Sequence, residues 1–200
     1  MSVPIPSRVR GKVRIHPQAV TRAAFMLDAH GRHRWRPIAP RARIQVMLER
    51  PVLRWLGTAY VDANTGDEPL EHAFTRWHWS RAHVTDGTIV LYDVERRDGS
   101  QESLAKRIDT VGRIEDTPTW IVTTLPKTRW LIPRETRSDE RHAATVIRTL
   151  EDAPFYARSM VSSRLNGAPV VMMHESLSLE RFRRPLVKLM LPFRMPRVGR

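Results

Sequence analysis

At 200 residues, 28% charged and 41% hydrophobic, the chain is long enough to bury one sizeable core and has the make-up of an ordinary globular domain. It has no cysteine, which excludes disulfides, thiol chemistry and cysteine-ligated metals, and no apolar run approaches the length of a spanning helix. A net charge of +13 suits nucleic acid or an anionic membrane surface, but no long Lys/Arg block or DNA-reading motif accompanies it, so nucleic acid is disfavoured.

In chain order, the opening Met-Ser-Val-Pro-Ile-Pro-Ser-Arg lacks the apolar core of a secretory signal, and a cytoplasmic location is expected. Val9, Gly11, Val13 and Ile15 alternate with Arg and Lys, which predicts a half-buried strand. Phe25 to Gly31 leads through a turn into His33-Arg34-Trp35, where His33 and Trp35, two apart, share one face. Pro37 and Pro40 are expected to interrupt the chain before a separate strand carrying Ile44, Val46 and Leu48.

After the break at Arg50-Pro51, an apolar strand with Trp55, Leu56, Ala59 and Val61 also carries Tyr60 and Asp62 on one face. An acid beside a phenol on such a strand is either tied up in a turn or held in a dry site with a raised pKa. Asn64, Gly66, Asp67 and Pro69 predict a loop next. Trp77 and Trp79 then flank His78, a dense cluster for a chain only 7% aromatic.

Asp86-Gly87 and Asp98-Gly99 bracket a strand from Thr88 to Glu95, with Ser103 to Ile108 returning antiparallel. Trp120 to Thr124 and Thr128 to Ile132 read as two further strands, Glu140 to Leu150 as another. Phe155 to Arg164 and Val170 to Leu179 flank Asn166-Gly167, a strong hairpin signal. From Arg181 to Arg200, apolar and basic residues interleave; a short helix from about Leu179, kinked at Pro185 and ended by Pro192, is expected either to anchor on a membrane or to dock on the sheets.

Short strands at hairpin spacing predict an all-β, antiparallel barrel or sandwich. We assign residues 1–180 to one β domain, with an internal boundary allowed near 37–51, and residues 181–200 to a basic amphipathic tail. His72, His78 and His83 lie close in sequence, but their spacing matches no metal signature, and no metal is assigned. No phosphate-binding Gly-rich loop or nucleophile elbow is present. Asp93 points away from Tyr92, so that adjacent pair is a weaker candidate than Tyr60 and Asp62. Taken alone, the central stretch also fits a well-packed hairpin core with no chemistry.

The segments Tyr60-Val-Asp62-Ala-Asn64-Thr-Gly66-Asp67-Glu-Pro69-Leu70, Trp77-His-Trp79-Ser-Arg81-Ala82 and Val90-Leu-Tyr92-Asp93-Val94-Glu-Arg96-Arg97-Asp98-Gly99 resemble the C-terminal part of the carotenoid 1,2-hydratase family, also called hydroxyneurosporene synthases. Gly31 to Arg43 and Glu151 to Ser159 extend the resemblance over nearly the whole chain, whereas the N-terminal region of family members is not matched. The resemblance implies a lipocalin-like fold and cofactor-free, acid-catalysed hydration of an acyclic carotenoid at an anionic membrane surface, peripheral on the cytoplasmic membrane. It implicates His33, Trp35, Tyr60 and Asp62. Asp62 is the expected proton donor, Trp35 and Tyr60 the groups around the cation, with Tyr60 bonded to Asp62, and His33 the base. Trp77, Trp79 and Tyr92 are assigned to substrate binding. The alternative is a non-catalytic, lipocalin-like carrier of an apolar pigment or lipid.

Overall fold

The computed structural model describes residues 9–118 and 120–192. Among them the chain is built from antiparallel strands and three short helices. The first group comprises β1 (Arg10–Pro17), β2 (Phe25–Met26), β3 (His33–Arg50) and β4 (Leu53–Gly66). After α1 (Leu70–Ala73) come β5 (Phe74–Val84), β6 (Gly87–Arg96), β7 (Gln101–Asp109) and β8 (Ile114–Asp116). A ribbon of β9 (Ile121–Leu125) and β10 (Arg134–Ser138) follows, then β11 (Thr145–Asp152), β12 (Tyr156–Leu165) and β13 (Ala168–Ser178). The helices α2 (Leu179–Phe182) and α3 (Pro185–Met190) close the described chain.

A seven-stranded sheet, ordered β11-β12-β13-β5-β6-β7-β8, forms the middle layer. On one face lies the sheet in which β3 pairs β1 and β2 along one edge and β4 along the other. On the other face lies the β9–β10 ribbon. The strand class expected from the sequence is therefore the one observed. The path of the large sheet runs from edge to edge, so the described residues stack as layers and do not close into a barrel.

Because β5, β6 and β13 are covered on both sides, each carries two sets of buried side chains. Phe74, Trp77, Trp79, Val90, Tyr92 and Val94 face β2–β4 and enclose Trp35 and Leu27. Ala82, Ile89, Leu91, Val170 and Met172 face the opposite way and pack with Trp120 and Leu125. The period of two thus sends Trp77 and Trp79 to one core, and His78 and Ser80 to the other.

Several local expectations are corrected. Pro37 and Pro40 do not break the chain: β3 runs straight through them, and the ladder to β4 instead shifts register between Arg36 and Ala39 and again between Ala39 and Ala42. Bulges remove the hydrogen bonds that proline cannot make. Asn64 lies inside β4 rather than in a loop, opposite Trp35. β1 forms, but all eight of its residues are exposed, so it is not half-buried. The partner of β9 is Arg134–Ser138; the stretch predicted at Thr128–Ile132 instead makes the turn before it, with Leu131 N–H donating to Thr128 O at 2.9 Å. The hairpin at Asn166-Gly167 forms as expected, both residues with the positive φ (53° and 76°) that such a turn needs.

The expected single C-terminal helix is two. Pro185 begins α3 rather than kinking a longer helix, since it has no N–H to donate to the preceding turn. Residues 193–200 of the predicted tail, and the first eight residues, lie outside the described part.

Candidate active site

Strand β4 presents Tyr60 and Asp62 inward, and β3 brings Trp35 beside them. The Trp35 indole N–H donates to Asp62 Oδ2 at 2.9 Å. Trp35 is fully buried, so its N–H requires a partner and holds the carboxylate in a fixed orientation. Burial pushes the Asp62 pKa up; the Trp35 hydrogen bond and the nearby Tyr60 hydroxyl pull the other way, and the negative charge of Glu175 adds to the rise. Tyr60 is pushed up by burial first and by Asp62 second. Its buried hydroxyl makes no hydrogen bond of good geometry among the described residues, so Asp62 acts on it through charge and proximity. The Arg81 guanidinium sits over the Tyr60 ring, 5.5 Å from its centroid.

Asp62 opens on a cavity of about 180 Å³ lined by Asn64, Leu70, Trp77, Trp79, Tyr92, Tyr156, Glu175 and Leu177. The rings support one another: Trp77 and Tyr92 centroids are 5.0 Å apart, Trp35 and Tyr92 5.2 Å, Tyr60 and Trp79 5.4 Å. Tyr92 OH donates to Asn64 Oδ1 at 2.8 Å, tying the large sheet to β4 across the cavity. Glu175 accepts from Arg158 Nε at 2.9 Å.

His33 does not line this cavity. It lines an adjoining one of about 90 Å³, and Asn64, Leu70 and Trp77 form the shared partition. Its Nε2 lies 3.7 Å from Glu68 Oε1, too long for a hydrogen bond, and neither ring nitrogen has a hydrogen-bond partner among the described residues. Gly66 makes room for the ring: a Cβ there would sit 2.5 Å from His33 Nδ1.

Of the seven residues singled out from the sequence, Asp62, Trp77, Trp79 and Tyr92 line the main cavity. Trp35 and Tyr60 stand beside the carboxyl without lining it. Tyr156 and Glu175 were not singled out. They arrive from β12 and β13, more than ninety residues along the chain from Asp62, a pairing no local pattern encodes. Among the three close histidines, His72 is exposed on α1, His78 faces the opposite core, and His83 bonds Thr88 Oγ1 at 3.0 Å.

A family profile described as carotenoid hydratase CrtC matches residues 1–200. The chain belongs to that family.

Members similar to it include acyclic carotenoid 1,2-hydratases from Thiocapsa roseopersicina (53% identical; 100% of this chain, 49% of the relative) and Rubrivivax gelatinosus (47%; 98% and 49%). The chain thus spans about half the length of these two relatives. The Cereibacter sphaeroides hydratase is 39% identical and is covered over 70% of its length, so the unmatched part differs in size within the family. A putative AttH from Nitrosomonas europaea superposes with a TM-score of 0.53 at 14% identity, covering 88% of this chain and 63% of that one. That likeness carries the fold alone, and it fits the lipocalin-like class.

Proposed function

We propose that this chain adds water to the terminal 1,2 double bond of an acyclic carotenoid, giving a tertiary 1-hydroxy product. The observation that carries the reading is the Asp62 carboxyl, its pKa raised by burial, fixed by Trp35 and opening on an aromatic cavity. An isolated trisubstituted alkene is a weak base, so its hydration needs a carboxyl that holds its proton to higher pH than usual, and burial shifts Asp62 in that direction.

In this mechanism the Asp62 carboxyl gives its proton to C-2, leaving a tertiary cation at C-1. The faces of Trp77, Trp79 and Tyr92 stabilise that cation. Trp35 and Tyr60 act on the carboxyl itself, Trp35 through its hydrogen bond. Water adds to C-1, and the proton that it loses passes by way of solvent to His33, which lines the adjoining cavity. Proton gain at Asp62 and loss at His33 through solvent restore the starting state. Water addition changes no overall oxidation level, so the reaction needs no redox cofactor.

A cavity of about 180 Å³ is below the roughly 300–1,000 Å³ of pockets that enclose a drug-sized ligand, and so suits an end group with the polyene left outside. A substrate held elsewhere in a bilayer fits that geometry, and we place the protein peripherally on the cytoplasmic membrane. Leu186, Leu189 and Leu191 are exposed beside Lys188, Arg183 and Arg184, and among the described residues no helix is long and apolar enough to cross a membrane.

The test is conversion of neurosporene or lycopene by wild type and by Asp62→Asn, scored as 1-hydroxy product. Product from wild type alone supports the reading. Equal product from both removes Asp62 as the acid. Retention of carotenoid without product from wild type favours the carrier.

A further inference from the structure

A second cavity, of about 290 Å³, lies on the other face of the seven-stranded sheet, between β5–β7 and the β9–β10 ribbon. His78 lines it. The His78 side chain is 93% buried (7% exposed), yet its Nε2 has no hydrogen-bond partner among the described residues. A buried polar atom without a partner, on a residue that lines a cavity, forfeits free energy unless something bonds it.

The ring is held from behind by a chain of hydrogen bonds. His78 Nδ1 meets Ser176 Oγ at 3.0 Å, and Ser176 Oγ meets His174 Nε2 at 2.9 Å. His174 Nδ1 meets Ser80 Oγ at 2.9 Å, and Ser80 Oγ meets Thr136 Oγ1 at 2.8 Å. Ser80, His174 and Ser176 are all fully buried. Each hydroxyl has one proton to give, so the whole chain can run in either of two directions. When His78 Nδ1–H donates to Ser176, Nε2 is an acceptor. When every donor is reversed, Nε2 carries the proton. A group bonded at Nε2 sets the direction of the entire chain.

The charge of the walls says which group. The cavity is lined by four acidic side chains, Asp93, Glu95, Glu102 and Glu135, and by two basic ones, Arg76 and Arg137, a net of −2 in a chain of +13. Three of the acids are already matched: Asp93 by Arg137 (2.6 Å), Glu95 by Arg76 (2.6 Å) and Glu102 by Arg96 (2.9 Å). The Glu135 side chain has no hydrogen bond or ion pair among the described residues, its backbone alone pairing with Thr124. It is the largest carboxylate influence on His78, whose pKa burial pulls down against it. His78, whose Nε2 accepts in one of the two directions, and a carboxylate without an ion partner therefore line the same cavity. Among the described residues no three His, Asp or Glu side chains are grouped to hold a metal ion, so the complement is an organic cation with N–H donors.

We propose that this cavity binds a small primary ammonium compound, its N–H groups donating to His78 Nε2 and to the Glu135 carboxylate. The site is independent of the Asp62 cavity: Trp77 and Trp79 serve one face of β5, and His78 the other.

The experiment titrates the full chain with 1,4-diaminobutane at constant ionic strength, following the ring Cε1–H signal of His78, assigned by its loss in His78→Gln. A saturable shift is expected. Glu135→Gln, at a partly exposed position, removes one charge-assisted bond and raises Kd by about tenfold or more. Asp62→Asn leaves Kd unchanged. The proposal is overturned if the diamine produces no saturable shift while the dichroism spectrum is native, if Glu135→Gln binds as tightly as wild type, or if tetramethylammonium, which has no N–H, binds equally well.

Discussion

Trp35 Nε1 stands 2.9 Å from Asp62 Oδ2, so one donor both aims the carboxyl and works against the burial that raises its pKa. A donor of this kind favours the charged form, and losing it lets burial act with less opposition. Trp35→Phe should therefore raise the Asp62 pKa further. In the proposed mechanism Asp62 acts in its protonated form, so kcat/KM falls as pH rises through that pKa. The falling limb should move to higher pH in Trp35→Phe, while kcat drops because the acid is weaker and less well held. A pH–rate profile in which the limb stays where it is in wild type would remove the tuning role.

Asp62→Asn keeps the shape and loses the proton. General acid catalysis contributes on the order of 10²–10⁴ in rate, and a loss in that range is expected. Stability should respond in the opposite sense. A carboxyl whose folded pKa is raised contributes stability at low pH that is lost as pH rises through the raised pKa. The asparagine does not titrate, so the variant should gain on wild type in alkaline solution and not in acid. Urea denaturation at two pH values on either side of the carboxylate range measures the difference.

Gly66 is required by its neighbour rather than by a turn. A Cβ at this position would lie 2.5 Å from His33 Nδ1 and 2.9 Å from its Cε1. Gly66→Ala should displace the imidazole and destabilise the fold by about 1–3 kcal/mol, as overpacking does. It should also lower kcat while leaving the pH limb of Asp62 in place, because Gly66 does not touch that carboxyl. A variant with wild-type kcat would show that the His33 position is immaterial to turnover.

The sequence carries the β class, the hairpins and the Tyr60–Asp62 pair because each is local: a period of two, an Asn-Gly turn, residues two apart. It also carries Trp77 and Trp79 as partners on one face. It does not carry β3 as one strand, since Pro37 and Pro40 argue for a break and only the bulged ladder to β4 absorbs them. Nor does it reveal that β5 is covered twice. His78 looks like a spacer between two tryptophans until the β9–β10 ribbon is seen to enclose it. Tyr156 and Glu175 reach the cavity through the β13–β5 pairing, where Glu175 meets Trp79 in register, a contact that only tertiary structure sets.

His174 should govern acid stability. It is fully buried, and its pKa is held down to about 3, by burial first and then by His78 and Arg134. The unfolded chain takes up this proton below about pH 6.5 and the folded chain does not. The stabilisation is thus complete above the unfolded value and is lost as pH falls toward 3. The loss is on the order of a few kcal/mol. His174→Gln should be less stable at neutral pH, where it breaks the serine chain, yet its stability should change less with pH across that window. Parallel curves for the two proteins would assign the acid sensitivity elsewhere.

The membrane contact proposed above rests on the C-terminal helices. α2 is fastened down: Phe182 packs on Phe155 with centroids 4.9 Å apart, and Arg181 donates to the Trp130 carbonyl. In α3, Val187 is buried and Lys188 bonds Glu71 Oε1 at 2.6 Å, but Leu186 and Leu189 are 69% and 68% exposed. The element is docked by one face and presents leucines on the other, so the two sequence expectations for it are not exclusive. Cutting the chain after Leu179 would strip the docked contacts along with the leucines. Replacing Leu186, Leu189 and Leu191 together by serine removes only the exposed face. Each nearby basic residue contributes about 1 kcal/mol on an anionic leaflet, which salt screens, whereas the leucines contribute an apolar share that salt leaves intact. Flotation with phosphatidylserine-containing liposomes should therefore weaken with salt for wild type and stop almost entirely at high salt for the triple variant. If the variant floats as wild type does at every salt concentration, α3 is a structural cap and the membrane contact lies on another surface.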